Sequence, residues 1–134
     1  MSKIKIKFEN FCKAFVKLEA IYLKPITEDR AYIDATIQRF DFTFELAWKF
    51  LKEYFAQKGI ILNYPKEILK EAFTVGMISD ENLWIYMLVD RNMTSHTYDE
   101  KLADEIYKRI RDYVPAIKEL LRLCEQNFNG IISK

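Results

Sequence analysis

The sequence predicts an all-α fold, an antiparallel bundle of four main helices with one short additional helix. Three observations lead there. Only three Gly and three Pro punctuate 134 residues, which leaves long stretches free of turn formers. Half of the residues are hydrophobic and 31% are charged, enough of each to build helices with one buried and one solvated face. The apolar residues also recur at spacings of three and four rather than two. The length suits a single domain over residues 1–134, large enough to bury a core without staples.

The first helix carries Phe8, Phe11, Phe15, Leu18 and Tyr22 on one stripe, with Lys13, Lys17 and Glu19 on other faces. It ends before Pro25. A turn through Pro25, Ile26 and Thr27 follows, and Glu28 and Asp29 are placed to open a second helix that runs to Lys58, where Gly59 offers a stop. Its main stripe is Ile33, Ile37, Phe40, Phe44, Ala47, Leu51 and Tyr54. Phe42, Leu46, Phe50 and Phe55 add a second apolar face, so this helix is expected at the centre of the bundle or across a subunit contact.

Pro65 opens the short third helix, which carries Ile68, Leu69, Ala72 and Phe73 and closes near Gly76. Ser79, Asp80 and Glu81 form the start of a fourth, with Leu83, Trp84, Met87 and Leu88, reaching Arg91. Thr97 and Glu100 have the spacing of a capping box, which predicts that the last helix starts around Tyr98. Its stripe is Ile106, Ile110, Tyr113, Ile117, Leu120 and Cys124. Pro115 within it is expected to bend the helix, and the tail after Asn127 to fray.

Charge narrows the function. A net charge of +1 is no footprint for sequence-indifferent nucleic-acid binding, and Lys3, Lys5 and Lys7 read as a solvated end. One His and no Cys pair at ligand spacing argue against a protein-made zinc site, and no cofactor is expected. Cys12 and Cys124 read as buried, reduced thiols of a cytoplasmic protein. No apolar run is long enough to span a membrane. Aromatic residues make up 15% of the chain, a surplus that points to an oligomer interface.

One segment resists explanation as packing or surface: Asp90-Arg91-Asn92-Met93-Thr94-Ser95-His96-Thr97-Tyr98-Asp99. In an unbroken helix Arg91 and His96 would stand about 140° apart, on nearly opposed faces. A helix break between them, or a two-fold axis, lets them share a cleft. Histidine exchanges protons near neutrality, and arginine offers a fork of donors that matches phosphate oxygens. That pair suits phosphodiester cleavage by an internal hydroxyl without a metal. By spacing alone, an exposed loop histidine and an arginine that meets the last carbonyls of its helix are the favoured reading.

The strings Ile37-Gln38-Arg39-Phe40-Asp41-Phe42-Thr43-Phe44-Glu45-Leu46-Ala47-Trp48-Lys49, Pro65-Lys66-Glu67-Ile68-Leu69-Lys70-Glu71-Ala72 and Asp90 through Tyr98 together resemble the HEPN superfamily. The resemblance is to its nucleotidyltransferase substrate-binding-protein branch, which includes HepT-like toxins. It implies an up-and-down bundle, a homodimer, and a minimal nucleotidyltransferase as partner. In toxin members it implies a ribonuclease groove at the dimer interface, with Arg91, Asn92 and His96 catalytic and Tyr98 the acceptor of AMP from the partner. An older view of the branch implies a substrate-binding subunit instead. Asp41 and Glu45 share a face and read as a solvated or dimer-contact strip, Glu45 and Lys49 as a surface pair, and Trp48 as core or interface.

Overall fold

The computed structural model describes residues 2–24 and 30–132, with side chains described through 126. Five helices follow in order: α1 (Lys3–Tyr22), α2 (Ala31–Gln57), α3 (Pro65–Thr74), α4 (Glu81–Asn92) and α5 (Glu100–Ile132). A single 3-10 turn, Thr94–His96, separates the last two. The turn expected through Pro25, Ile26 and Thr27, with Glu28 and Asp29, lies outside the described residues.

Cross-helix contacts give the directions. Phe8 and Phe11 of α1 meet Phe50 near the far end of α2, and Lys3 pairs with Glu53, so these helices are antiparallel. Lys118 of α5 reaches Glu19 of α1, while Arg109 of α5 reaches Asp90 of α4. In contrast, Phe40 stacks on Tyr113 and Arg30 pairs with Asp104, so α2 and α5 run in the same direction. The result is an up-and-down bundle of α1, α2, α4 and α5, with α3 set against α2 and α4.

Helix α2 packs against each of the other four helices, which is the central position its two apolar faces require. Ile37, Phe40, Phe44, Ala47, Phe50, Leu51, Tyr54 and Phe55 are all buried. Each large side chain withdrawn from water contributes about 1.5–3 kcal/mol. Thr36 and Thr43 join this core because their hydroxyls donate to the carbonyls of Tyr32 and Arg39 one turn back, at 2.6 and 2.7 Å. The second face is less complete than expected: Phe42 is 46% exposed and Leu46 only half-buried. Phe73 likewise points outward from α3.

Both predicted glycine stops hold, with Gly59 and Gly76 at φ 82°, the left-handed conformation that ends a helix at least cost to glycine. Asp80 caps α4, its carboxylate accepting from the Leu83 N–H at 3.0 Å. The start of α5 differs from expectation. Asp99, not Thr97, is the capping residue, accepting from the N–H groups of Lys101 and Leu102 at 3.0 and 3.3 Å. The Thr97 hydroxyl is already donating backward to the Thr94 carbonyl at 3.0 Å. The helix therefore begins at Glu100, two residues later than the capping-box spacing predicts.

All six residues of the α5 stripe are buried. The helix runs through Pro115 without interruption, and its backbone continues past Asn127 to Ile132, where fraying was expected. Cys124 is buried and Cys12 only half-buried; both are free thiols. Burial, reinforced by neighbouring negative charge, pushes their pKa values up to about 11 for Cys12 and about 12 for Cys124. Among the described residues, no helix is long and apolar enough to cross a membrane.

Candidate functional site

Two adjacent residues at the C-terminal end of α4 set up the site. Asp90 is the one buried charged residue among those described, 5% exposed. Both its oxygens face α5. Arg109 donates to it twice, at 2.7 and 2.8 Å, and the Tyr113 hydroxyl donates at 2.5 Å. Burial, then the bond to Asp90 and its charge, raises the Tyr113 pKa above the ordinary tyrosine range. A buried carboxylate needs such a set of donors to offset the loss of its hydration. The network pins the last turn of α4 to the middle of α5.

Arg91, the next residue, turns the other way. Its Nε donates to Asp41 at 3.2 Å, one terminal nitrogen makes a short bond to Glu45, and the other lies 3.4 Å from the Asn92 side-chain oxygen. Glu45 also accepts from the Trp48 indole at 3.0 Å and pairs with Lys49 at 3.1 Å. Its partial burial alone would raise its pKa. The bonds from Trp48 and Lys49 and the charges of Arg91 and Lys49 outweigh that, and the pKa lies below the usual carboxylate value. Asp41 and Glu45 are thus the seat of Arg91, a role that their shared helix face left open.

Beyond Asn92 the chain leaves the helix, the break that the sequence offered as one way for Arg91 and His96 to face a common cleft. Hydrogen bonds stitch the turn together: the Thr94 hydroxyl donates to the Arg91 carbonyl at 2.8 Å, and the His96 N–H to the Met93 carbonyl at 3.0 Å. The Asp99 N–H then reaches the His96 carbonyl at 3.1 Å. This tight path presents His96 and Tyr98 to solvent. Tyr98 is 84% exposed, and its ring meets that of His96 edge-on, with centroids 6.2 Å apart.

Of the four residues singled out, the monomer brings Arg91 to Asn92 and His96 to Tyr98. No hydrogen bond or ring contact joins the two pairs among the described residues. Beside them runs an open groove of about 690 Å³, walled by Asp34, Gln38, Asp41 and Phe42 of α2 and by Thr94, Ser95 and Thr97 of the turn. Its α2 wall carries carboxylates, and the exposed Phe42 ring lies on it. The described residues contain no cluster of three or more His, Cys, Asp or Glu side chains suited to a metal.

The network of Asp90, Arg109 and Tyr113 escaped the sequence reading, which took Asp90 only as the start of the segment and Tyr113 only as part of the α5 stripe. A signal existed: Asp90 lies three residues beyond Met87 and six beyond Trp84, in phase with the buried stripe of α4. A carboxylate at such a position must find donors on a neighbouring helix.

Known proteins resemble this chain along most of its length. The profile of the family described as nucleotidyltransferase substrate binding protein like matches residues 6–126. A Haemophilus influenzae protein named probable ribonuclease HepT is 35% identical over 109 residues, covering 78% of this chain and 75% of that protein. A crystal structure from Thermus thermophilus superposes with a TM-score of 0.77 at 33% identity, covering 83% of this chain and 95% of that one. A second, from Haemophilus influenzae, is described as revealing the fold of a substrate binding domain of a nucleotidyltransferase. It superposes with a TM-score of 0.66 at 29% identity, covering 89% of this chain and 94% of that one.

Proposed function

The chain belongs to the nucleotidyltransferase substrate-binding-protein-like family, and on that premise we propose that it is a metal-independent endoribonuclease of the HEPN toxin type. The observation that carries the reading is the turn after α4, which breaks the helix between Arg91 and His96 and leaves His96 and Tyr98 exposed beside the α2 groove. The similarity to a protein named probable ribonuclease HepT supports it. The working unit is a homodimer in which Arg91 and His96 of two protomers line one groove.

His96 takes the proton from a ribose 2′-OH, whose oxygen attacks the adjacent phosphorus. The P–O5′ bond breaks, a 2′,3′-cyclic phosphate forms, and the leaving 5′-oxygen receives a proton from the second protomer's histidine or, at a lower rate where that histidine is missing, from water. Arg91 stabilises the charge that builds on the phosphoryl oxygens, while Asn92 holds the guanidinium. Asp41 and Glu45 fix the plane of Arg91 before substrate arrives.

Tyr98 is the regulatory residue. A partner nucleotidyltransferase joins its phenolic oxygen to the α-phosphorus of ATP. Pyrophosphate leaves, and the phenolic proton passes to base. The added AMP puts bulk and negative charge two residues from His96, where the scissile phosphate has to sit.

A second reading, a non-catalytic subunit that binds substrate or nucleotide for the nucleotidyltransferase, draws on two observations. Arg91 is already engaged by two carboxylates, and the structural relative from Haemophilus influenzae is described as a substrate binding domain.

Two measurements separate these readings. RNA cleavage in the presence of EDTA should be abolished by His96→Ala; equal rates for wild type and variant would remove the ribonuclease proposal. Intact mass after co-expression with the partner should rise in AMP units for wild type and stay unchanged for Tyr98→Phe. A modification that persists in Tyr98→Phe puts the acceptor elsewhere.

A further inference from the structure

A second group of positive charge lies away from Arg91, in a cleft that flat aromatic side chains share. A cleft of about 600 Å³ opens between the C-terminal end of α1, the start of α2 and the α5 stretch from Asp104 to Arg111. Lys24, Lys108 and Arg111 line it, and Lys108 and Arg111 make no ion pair among the described residues. Lys24 lies 5.9 Å from the Tyr32 ring centroid. Among the described residues Asp104 is the one acid on the wall, and Arg30 holds it at 3.0 Å, so the described wall carries three cations against one paired carboxylate.

The remaining walls are not polar. Tyr22, Tyr107 and Ile33 are half-buried and offer flat and aliphatic surface to the opening. Tyr107, Lys108 and Arg111 fall on adjacent positions of one helical face, with Tyr107 and Arg111 one turn apart. A ligand matching this wall carries several negative charges at one end and a planar ring at the other. The volume is within the range of small-molecule sites, about 300–1,000 Å³.

We propose that this cleft binds a free nucleoside triphosphate. Lys24, Lys108 and Arg111 take the phosphates, the guanidinium in fork geometry, and the base lies against Tyr107 and Tyr22. The site is separate from the Arg91 to Tyr98 segment and depends on neither reading of that segment.

Calorimetric titration of the full chain with ATP tests it, with inorganic tripolyphosphate and a short unphosphorylated oligonucleotide as comparison ligands. ATP should saturate one site per chain, weaken with added salt, and bind more tightly than either comparison ligand. Lys108→Glu combined with Arg111→Glu should weaken ATP about tenfold or more, tenfold being about 1.4 kcal/mol. Both residues are exposed, and an unchanged thermal melt will show that the variant folds. Tyr107→Ala should remove the preference for ATP over tripolyphosphate, and Tyr107→Phe should retain it. Absence of saturable ATP binding, equal affinity for tripolyphosphate, or tighter binding of the oligonucleotide overturns the proposal. So does ATP binding lost in Arg91→Ala but kept in the double variant, which places the nucleotide in the other groove. The ribonuclease reading stands or falls separately, on His96→Ala.

Discussion

Asp90 and Arg91 are neighbours in sequence, and both end in ion pairs, yet they do opposite work. Asp90 is withdrawn from water and receives three hydrogen bonds from α5. Arg91 stays at the surface, 28% exposed, against two carboxylates of α2. The first is an anchor that cannot be exchanged for solvent without leaving a bare charge in the core. The second is a pair that solvent or an incoming phosphate can reach. An immobile residue placed directly before a reachable one fixes where the guanidinium starts from. Preorganisation of a surface cation is thereby obtained from a buried anion one residue away.

The contrast predicts unequal costs. Arg109→Met leaves Asp90 buried without its cation; because Arg109 is itself 43% exposed, this should reduce the unfolding free energy by about 2–4 kcal/mol, measured by urea denaturation. A loss below about 1 kcal/mol, the usual worth of an exposed pair, would show that the buried pair anchors nothing. Tyr113→Phe removes one of the three bonds to Asp90, and should cost about 1–2 kcal/mol in the same assay. Its RNA cleavage should fall only as far as the α4 turn loosens.

Arg91→Ala removes a partly buried pair and should cost about 1–2 kcal/mol of stability, less than Arg109→Met, while abolishing RNA cleavage. A stability loss as large as that of Arg109→Met would erase the distinction between the two residues. The smallest effect is that of acid. Glu45 has a pKa depressed below its unfolded value, so the stability it contributes is complete above the ordinary glutamate pKa, about 4.3. That contribution fades as pH falls through the depressed folded value. Thermal melts across this range should show a shallow acid limb that Glu45→Gln flattens.

How much of this was legible follows from which forces act locally. The stripes of α2 and α5 could be read because burial against a neighbour imposes a 3.6-residue period on the apolar residues. Gly59 and Gly76 could be read because a positive φ favours glycine. The start of α5 was misplaced because Thr97 and Asp99 both have capping chemistry, and the Thr97 hydroxyl is drawn instead to a carbonyl of the preceding turn. No local pattern distinguishes the two. The proposed site residues Arg91, Asn92, His96 and Tyr98 stood out through their motif and its family resemblance. The partners of Arg91 and Asp90 did not, because Asp41 and Glu45 meet Arg91, and Arg109 and Tyr113 meet Asp90, only through helix packing, at separations of 19 to 50 residues.

The central claim is that Arg91 and His96 from two protomers complete one RNA-cleaving site, and mixing two inactive variants tests it most directly. Arg91→Ala and His96→Ala chains, unfolded together and refolded, form mixed dimers in which one groove receives an intact Arg91 from one chain and an intact His96 from the other. The account predicts that RNA cleavage, absent from either variant alone, returns in the mixture at a fraction of the rate of wild type treated identically. A mixture as inactive as its parents, beside an active refolded wild type, would contradict it.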